Sequence, residues 1–360
     1  PLAVFSTPSS IFASTGSVGI SLLLWAAGKY LFLSRKCPFY PVEMASITDA
    51  DVLAGLLTLS GLSVYLSFGL AIPLSGGEKN YLERVFRRPR YMATSIFAVQ
   101  MVLLGFSAGN SLAFGRYVLL AIGHPMPDGW VPRAIAVIAV TLVVLLHAVF
   151  PKWGLRLTNA LGVFKVVVLV VIVLAGFAAL MGYRLVPDPG NFKNFWGIEK
   201  GDGYGGGGAY AYATALLQVV YSYKGWENAN YVMGELKNPR RTLKIAAPLA
   251  VTGVTVLYVL VNVAYFAAIP KAELAKSEVI VAGLFFRNMF GESAAARSLP
   301  AFVAFSNIGN VLAVSFAHSR VNQELAREGL LPWSKFWASS RPYNTPAASV
   351  SNHLTPLGIS

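Results

Sequence analysis

Charged and amide side chains interrupt an apolar part of the chain, in the segment YSYKGWENANYVMGE (221–235). Lys224, Glu227, Asn228 and Asn230 lie there between two stretches that are apolar enough to belong to a membrane. A charge that faces lipid at the centre of a helix costs roughly 2.5–3.5 kcal/mol. We therefore expect these polar groups to face protein or a water-filled cavity, where they could bind a polar solute.

A second isolated charge lies in the apolar segment GVFKVVVLV. Lys165 is about ten residues, or 15 Å, inside its predicted helix. A lone ionisable residue at membrane depth is a functional candidate, because keeping it there is costly. The alternative is a lysine whose long side chain reaches the end of the helix. The depth of Lys165 favours the functional interpretation.

The composition places both segments in a membrane protein. Of the 360 residues, 55% are hydrophobic and 12% are charged, whereas an ordinary soluble domain has about 25% charged residues. Several apolar runs reach the ~20 residues that a spanning helix needs. The net charge of +13 lies in short clusters between these runs, which is typical of loops in membrane proteins. The sequence predicts an all-α polytopic membrane protein with no nucleic-acid partner.

The loops between the apolar runs predict the orientation of the chain. Basic loops at 75–90, 150–156 and 236–244 alternate with the region 121–130, which has no Lys or Arg. Because cytoplasmic loops are enriched in Lys and Arg, the three basic loops are predicted to be cytoplasmic. The predicted spans are 5–16, 17–28 resuming at 52–74, 91–120, 130–150, 155–182, 209–234, 243–269 and 299–320.

The span 209–234 is expected to be broken at its polar run. Gly225 is a poor residue for a helix interior, and the polar side chains around it share no helical face. One half-helix is predicted from 209 to about 220 and another from 228 to 234. Secondary transporters build solute sites at such breaks, from helix ends and freed carbonyl groups. A kinked structural helix with a snorkelling Lys224 stays open as the alternative.

Other chemistry is not indicated by the sequence. No residues have the spacing of a metal site or a nucleophilic triad, so we expect no enzyme activity, no metal and no cofactor. The segment GDGYGGGG (201–208) lacks the Gly-Lys-Ser/Thr ending of a phosphate-binding loop. His147 and His318 are near predicted helix ends and are expected to pack at interfaces. The single cysteine excludes an internal disulfide framework.

Several segments together resemble the amino acid–polyamine–organocation superfamily. Within it, the resemblance is to the L-type amino acid transporters and the fungal high-affinity methionine-permease-like carriers. The matching segments are YSYKGWENANYVMGELKNPRRTLKIAAPLAV, FSTPSSIFASTGSVG, GLAIPLSGGEKNYLERVF, LRLTNALGVFKVVVLVVIVLAGF, NFKNFWG and FAHSRVNQELAREGLLP. The resemblance implies an inverted-repeat transporter fold of twelve helices, in which helices one and six are discontinuous around the substrate.

The resemblance implies secondary active transport of amino acids by alternating access, sodium-independent or proton-coupled, with methionine or large neutral amino acids as substrates. Tyr221 matches an aromatic gate over the substrate. The carbonyls of Tyr221, Ser222 and Lys224 match the position that receives its amino group. The other substrate-binding residues implied are Phe5, Ser6, Tyr223, Gly225, Trp226 and Asn230. Lys165 falls where sodium-coupled relatives hold the ion, which implies a coupling role.

The resemblance also bears on location and partners. It implies a multi-pass protein of the plasma membrane, with an amino acid substrate and the lipid bilayer as its partners. The loop 121–130 lacks the cysteine through which L-type carriers join a glycoprotein. We therefore expect no disulfide-linked heavy subunit.

The sequence departs from the family pattern within helix two and at both ends. Residues 29–54 interrupt helix two, and we interpret them as translated intron sequence; a re-entrant loop is the alternative. We also expect a single carrier domain, 1–360, truncated at both ends and containing about eight of twelve helices. In this interpretation 321–360 is a cytoplasmic tail that replaces helices nine to twelve. The alternative function is that of a non-transporting truncated product, from a pseudogene or acting as a membrane amino acid sensor.

Overall fold

The structure is a computed structural model that describes residues 7–22, 61–89, 91–104, 108–124, 129–193, 209–276, 281–341 and 345–351. All the regular elements in these ranges are helices. Four of them are long and apolar enough to cross a membrane, which confirms the predicted all-α membrane class. Phe5, Ser6 and the segment 29–54 lie outside the described residues.

In chain order, the helices are α1 (Thr7–Thr15), α2 (18–22), α3 (Gly61–Ala71), α4 (Glu78–Val85), α5 (Met92–Leu104), α6 (Ala108–Ala121), α7 (Trp130–Val149), α8 (Pro151–Leu180), α9 (Ala209–Ser222), α10 (Asn228–Tyr231), α11 (Pro239–Ala268), α12 (Lys271–Lys276), α13 (Val281–Phe290), α14 (Glu292–Arg327), α15 (Ser334–Trp337) and α16 (Ala347–Ser351).

Proline marks the beginning of two of the long helices. α8 begins at Pro151 and α11 begins at Pro239. Proline suits the first position of a helix, because the amide hydrogen that it lacks would have no partner there. Both helices begin before the predicted residues 155 and 243, since the prediction counted only the apolar part of each helix.

One face of α7 is buried and the opposite face is exposed. Its buried residues recur every three or four positions, which is the period of one helical face; they are Pro132, Ala136, Ala139, Val140, Val143, Val144 and His147. The opposite face exposes large side chains such as Val131, Ile138 and Leu142. A continuous apolar face of this kind marks a membrane or protein contact. The helix is long and apolar enough to cross a membrane, so we expect lipid or further protein to cover this face.

Two loops predicted from the sequence contain helices. α4 forms within the basic loop 75–90, and α12 and α13 form between the predicted spans 243–269 and 299–320. The prediction missed them because each is shorter than the ~20 residues that it required. α13 nevertheless buries Val281, Phe285 and Phe286. α14 also extends beyond its predicted boundaries at both ends.

The chain forms two compact units. The first consists of Pro1–Val64, Val166–Lys224 and Pro248–Leu299, and the second of Tyr65–Lys165, Gly225–Ala247 and Pro300–Ser360. In the first unit α1 packs against α9 and α12. In the second unit α7 packs against α6 and α16, around a core formed by Val140, Val143, Val144, Val311, Leu312 and Val350.

Candidate substrate and coupling site

The helix that contains the polar run is broken as predicted. α9 ends at Ser222, residues 223–227 form turns, and α10 begins at Asn228. Gly225 has a φ of +121°, a conformation that residues with a Cβ rarely adopt. The glycine therefore allows the chain to leave the helix within one residue.

On the first unit's side of the break, the end of α9 frees backbone carbonyl groups from the helix. The Lys224 amide donates to the Tyr221 carbonyl at 3.2 Å. The carbonyl oxygens of Ser222 and Lys224 accept no hydrogen bond from the residues that the structure describes. The Ser222 side chain is buried, whereas the Tyr221 side chain is 65% exposed. Freed carbonyls beside an exposed aromatic ring could receive an ammonium group next to an apolar side chain.

Hydroxyl and amide groups hold α1 against the end of α9 in the same unit. The Thr7 and Ser222 hydroxyl oxygens are 3.4 Å apart, and the Ser10 hydroxyl donates to the Gln218 side-chain carbonyl. Neither Ser10 nor Gln218 is among the predicted site residues. Gln218 could have been noticed, because it is the only amide side chain in the run AYAYATALLQVV. α1 is thereby fixed beside the end of α9.

On the second unit's side, the residues after the break form hydrogen bonds with one another and with α3. The Gly225 amide donates to a carboxylate oxygen of Glu227 at 2.8 Å. The Trp226 ring lies edge-on to the Tyr65 ring, with centroids 4.9 Å apart. The side-chain amide of Asn230 donates to the Tyr65 carbonyl at 3.2 Å. Trp226 and Asn230, both predicted site residues, therefore share Tyr65 as a neighbour.

Lys165 lies against α14 within the second unit. A Cβ added to Gly309 would be 3.4 Å from the Lys165 Cε atom, so the small residue leaves room for the lysine side chain. The preceding ring, Phe164, packs against Phe302 and Phe305, with centroids 5.7 and 5.8 Å apart. None of the ion pairs among the described residues includes Lys165. An ammonium without a counterion at this depth is a candidate for binding and releasing a proton.

The predicted site residues are thus divided between the two units. Tyr221, Ser222, Tyr223 and Lys224 belong to the first, and Gly225, Trp226, Asn230 and Lys165 to the second. Tyr223 is buried and its ring packs against Tyr258 at 5.5 Å. Lys224 is exposed. The structure gives Lys165 different neighbours from those of Trp226 and Asn230.

The two histidines pack against other side chains. His147 is buried, with Nε2 3.1 Å from the Leu312 carbonyl oxygen. The His318 ring lies 5.9 Å from the Tyr231 ring. In the part of the chain that the structure describes, no group of three or more His, Cys, Asp or Glu residues could hold a metal ion.

Comparison with known proteins gives a match over nearly the whole chain. The family model described as "Amino acid permease" matches residues 3–356. The chain is 39% identical over 353 residues to the high-affinity methionine permease of Saccharomyces cerevisiae. The aligned region covers 98% of this chain and 56% of that relative.

Two further relatives are more distant. The low-affinity methionine permease of the same yeast is 32% identical over 300 residues, covering 83% of this chain and 54% of that relative. The human cystine/glutamate transporter is 29% identical over 358 residues, covering 98% and 63%. The chain therefore spans about half the length of the methionine permeases that it matches.

Proposed function

Because the chain belongs to the amino acid permease family, we propose that it acts in secondary active transport of amino acids across a membrane by alternating access. The observation that carries the proposal is the break after Ser222, where carbonyl groups have no partner among the described residues. Backbone carbonyl groups without a hydrogen-bond partner are rare at membrane depth, because an unsatisfied backbone group is costly in lipid. A solute that brings its own hydrogen-bond donors relieves that cost.

The proposed substrates are methionine and other large neutral amino acids. Two of the yeast relatives are named as methionine permeases. We propose that the carbonyls of Tyr221, Ser222 and Lys224 receive the substrate amino group and that the Tyr221 ring covers its side chain. Tyr223, Gly225, Trp226 and Asn230 would shape the site, together with Phe5 and Ser6.

The first test is uptake of labelled methionine and leucine by permease-deficient cells that express this chain. A version without residues 29–54 is expressed alongside it. Uptake by either version supports transport, and methionine binding without uptake supports the sensor alternative. The absence of both uptake and methionine binding would contradict the transport proposal and the sensor alternative. Uptake by the shorter version alone would support the intron interpretation of 29–54, whereas uptake only by the version that contains 29–54 would make this segment a structural element.

The gate role of Tyr221 is tested by substitution. Tyr221→Ala should raise the concentration of methionine needed for half-maximal uptake. The matched control is Tyr210→Ala, because Tyr210 is also exposed and lies near the other end of α9. Equal effects of the two substitutions would remove Tyr221 from the proposed site.

The coupling role of Lys165 has its own matched control. Lys165→Met should abolish the dependence of uptake on external pH, while replacement of sodium by choline should leave wild-type uptake unchanged. Lys152→Met should behave as wild type, because Lys152 is an exposed lysine at the beginning of the same helix. Loss of wild-type uptake in choline would contradict the sodium-independent proposal.

Location and partners are also proposals. We place the chain in the plasma membrane, with loops 75–90, 150–156 and 236–244 in the cytoplasm, and without a disulfide-linked heavy subunit. The single cysteine lies in the segment 29–54, outside the region 121–130. Electrophoresis of the expressed protein with and without reductant tests the last point, since a linked subunit would appear as a larger band that reductant removes.

A further inference from the structure

Glu78 is the first residue of α4, and two tyrosines donate hydrogen bonds to its carboxyl group. One oxygen, Oε1, accepts hydrogen bonds from the Tyr65 hydroxyl at 2.5 Å and the Tyr231 hydroxyl at 2.8 Å. Tyr65 belongs to α3 and Tyr231 to α10, the helix that follows the break. All three residues lie in the second unit. The carboxyl group therefore joins the second half of the broken helix to its neighbours.

The other carboxyl oxygen of Glu78, Oε2, is buried and has no hydrogen-bond partner in the described part of the chain. None of the ion pairs among the described residues includes Glu78. The adjacent ammonium group of Lys79 is instead paired with Glu328. A buried carboxylate with one bare oxygen and no cationic partner is costly to keep charged.

The backbone fixes this arrangement. Gly77 has a φ of +52°, and a Cβ on it would lie 2.6 Å from the Tyr231 ring. Only glycine lets the two segments approach this closely. The Gly76 amide donates to the Tyr231 carbonyl at 3.2 Å, and the Gly234 amide donates to the Ser75 hydroxyl at 2.8 Å. The backbone thus fixes the position of the Glu78 carboxyl, which is not a freely moving surface group.

We propose that Glu78 is a second proton-binding group of this carrier, separate from Lys165, and that its proton occupancy controls how α10 is held against α3 and α4. A proton from cytoplasmic water adds to Oε2, so the carboxylate becomes a neutral carboxylic acid that still accepts the two tyrosine hydrogen bonds. Release of the proton to water leaves a buried charge beside the Glu227 carboxylate. The cost of burying this charge outweighs the two tyrosine hydrogen bonds, so the charge favours hydration and the separation of α10. This coupling role rests on the proposed transport function, whereas proton binding itself does not.

The groups around Glu78 support this direction. Burial raises the pKa of the Glu78 carboxyl above its ordinary value, and the nearby Glu227 carboxylate raises it further, while the hydrogen bonds from Tyr65 and Tyr231 oppose the shift. The other titratable groups packed around the cluster are Tyr81, whose ring lies 6.0 Å from that of Tyr65, and His318, whose ring contacts Tyr231.

The sign of the stability effect follows from the raised pKa. A carboxyl whose pKa is higher in the folded state binds its proton more tightly there than in the unfolded state. Its stabilising contribution is therefore complete below the unfolded value near 4.5 and is lost as the pH rises through the folded value. Glu78→Gln imitates the neutral acid at every pH.

The test is thermal unfolding of the purified protein in detergent between pH 5 and pH 8. Glu78→Gln should melt at a higher temperature than wild type at pH 8, and the difference should shrink as the pH falls to 5. Glu83→Gln, on the same helix, should run parallel to wild type. Tyr231→Phe removes one hydrogen bond that favours the charged carboxylate, so in this variant the stabilising contribution of Glu78 should be lost at a higher pH than in wild type.

Parallel curves for Glu78→Gln and wild type would overturn the proposal, as would a Glu78→Gln protein that is equally destabilised at both pH values. The melting test does not depend on transport. If wild type takes up methionine but the curves stay parallel, proton binding at Glu78 fails and the proposed function stands. If the curves converge at low pH but no version transports or binds methionine, the proposed function fails and the proton site stands.

Discussion

The buried ion pair between Lys79 and Glu328 predicts an unequal response to removal of its two partners. Lys79 is on α4, and Glu328 directly follows α14. The Lys79 side chain is only 2% exposed, whereas that of Glu328 is 34% exposed. Lys79 has one further hydrogen bond, to the Asn80 side-chain carbonyl at 3.3 Å. Whichever partner is removed, the burial of the remaining one decides the cost.

The magnitudes follow from these exposures. Glu328→Gln leaves a buried ammonium group without its counterion, and breaking a buried pair in this way costs about 3–5 kcal/mol. Lys79→Met removes the charge and keeps most of the apolar stem. It leaves a carboxylate that water can still reach, so its cost is expected to be about 0–1 kcal/mol. The double variant should resemble Lys79→Met, because the unpaired buried charge is then absent.

Thermal unfolding of the detergent-purified variants measures this order. Wild type, Lys79→Met and the double variant should melt at similar temperatures, and Glu328→Gln should melt at a much lower temperature. The pair Arg327–Glu324 is the control, because its side chains are 52% and 26% exposed. Glu324→Gln should change stability by no more than about 1 kcal/mol. Lys79→Met being as damaging as Glu328→Gln would refute the argument from burial.

Two further predictions concern helix packing and orientation. Gly176→Ala should destabilise the protein by about 1–3 kcal/mol, because the added Cβ would lie 2.1 Å from the Cβ of Ala264. The control is Gly162→Ala on the same helix, which has open space around it and should stabilise by up to about 1 kcal/mol. Equal shifts in the melting temperatures of the two variants would contradict this prediction. The orientation is tested by cysteine labelling in a background without the natural cysteine. A cysteine in place of Lys152 should react with an impermeant maleimide only after the cells are permeabilised, whereas a cysteine in place of Trp130 should react in intact cells. The reverse pattern would invert the proposed orientation.

Local features of the sequence were sufficient to predict the class of fold and the break in α9. Gly225 within a polar run has poor helix propensity, and no helical face could hide the surrounding charges. The helix ends at Ser222, close to the predicted residue 220. The family resemblance drawn from the motifs is confirmed by the match over residues 3–356. These features depend on neighbouring residues, so a single sequence can reveal them.

Contacts between distant residues could not be predicted in this way. The hydrogen bond from Tyr231 to Glu78 joins residues 153 positions apart, and that from Ser10 to Gln218 joins residues 208 positions apart. Each depends on which helix faces which, and no short motif specifies that. The short helices α12 and α13 were missed for a related reason, since only tertiary burial distinguishes them from a loop.

The charges of loop 75–90 show how burial changes the meaning of a sequence pattern. Glu78 and Lys79 are neighbours in the chain, but successive residues of a helix point about 100° apart. One therefore meets two tyrosines and the other meets Glu328. Because Lys79 is buried and neutralised by its partner, its charge is not available to the membrane surface. In this loop, the orientation proposal accordingly depends on the exposed arginines that follow Lys79, which are Arg84, Arg87 and Arg88.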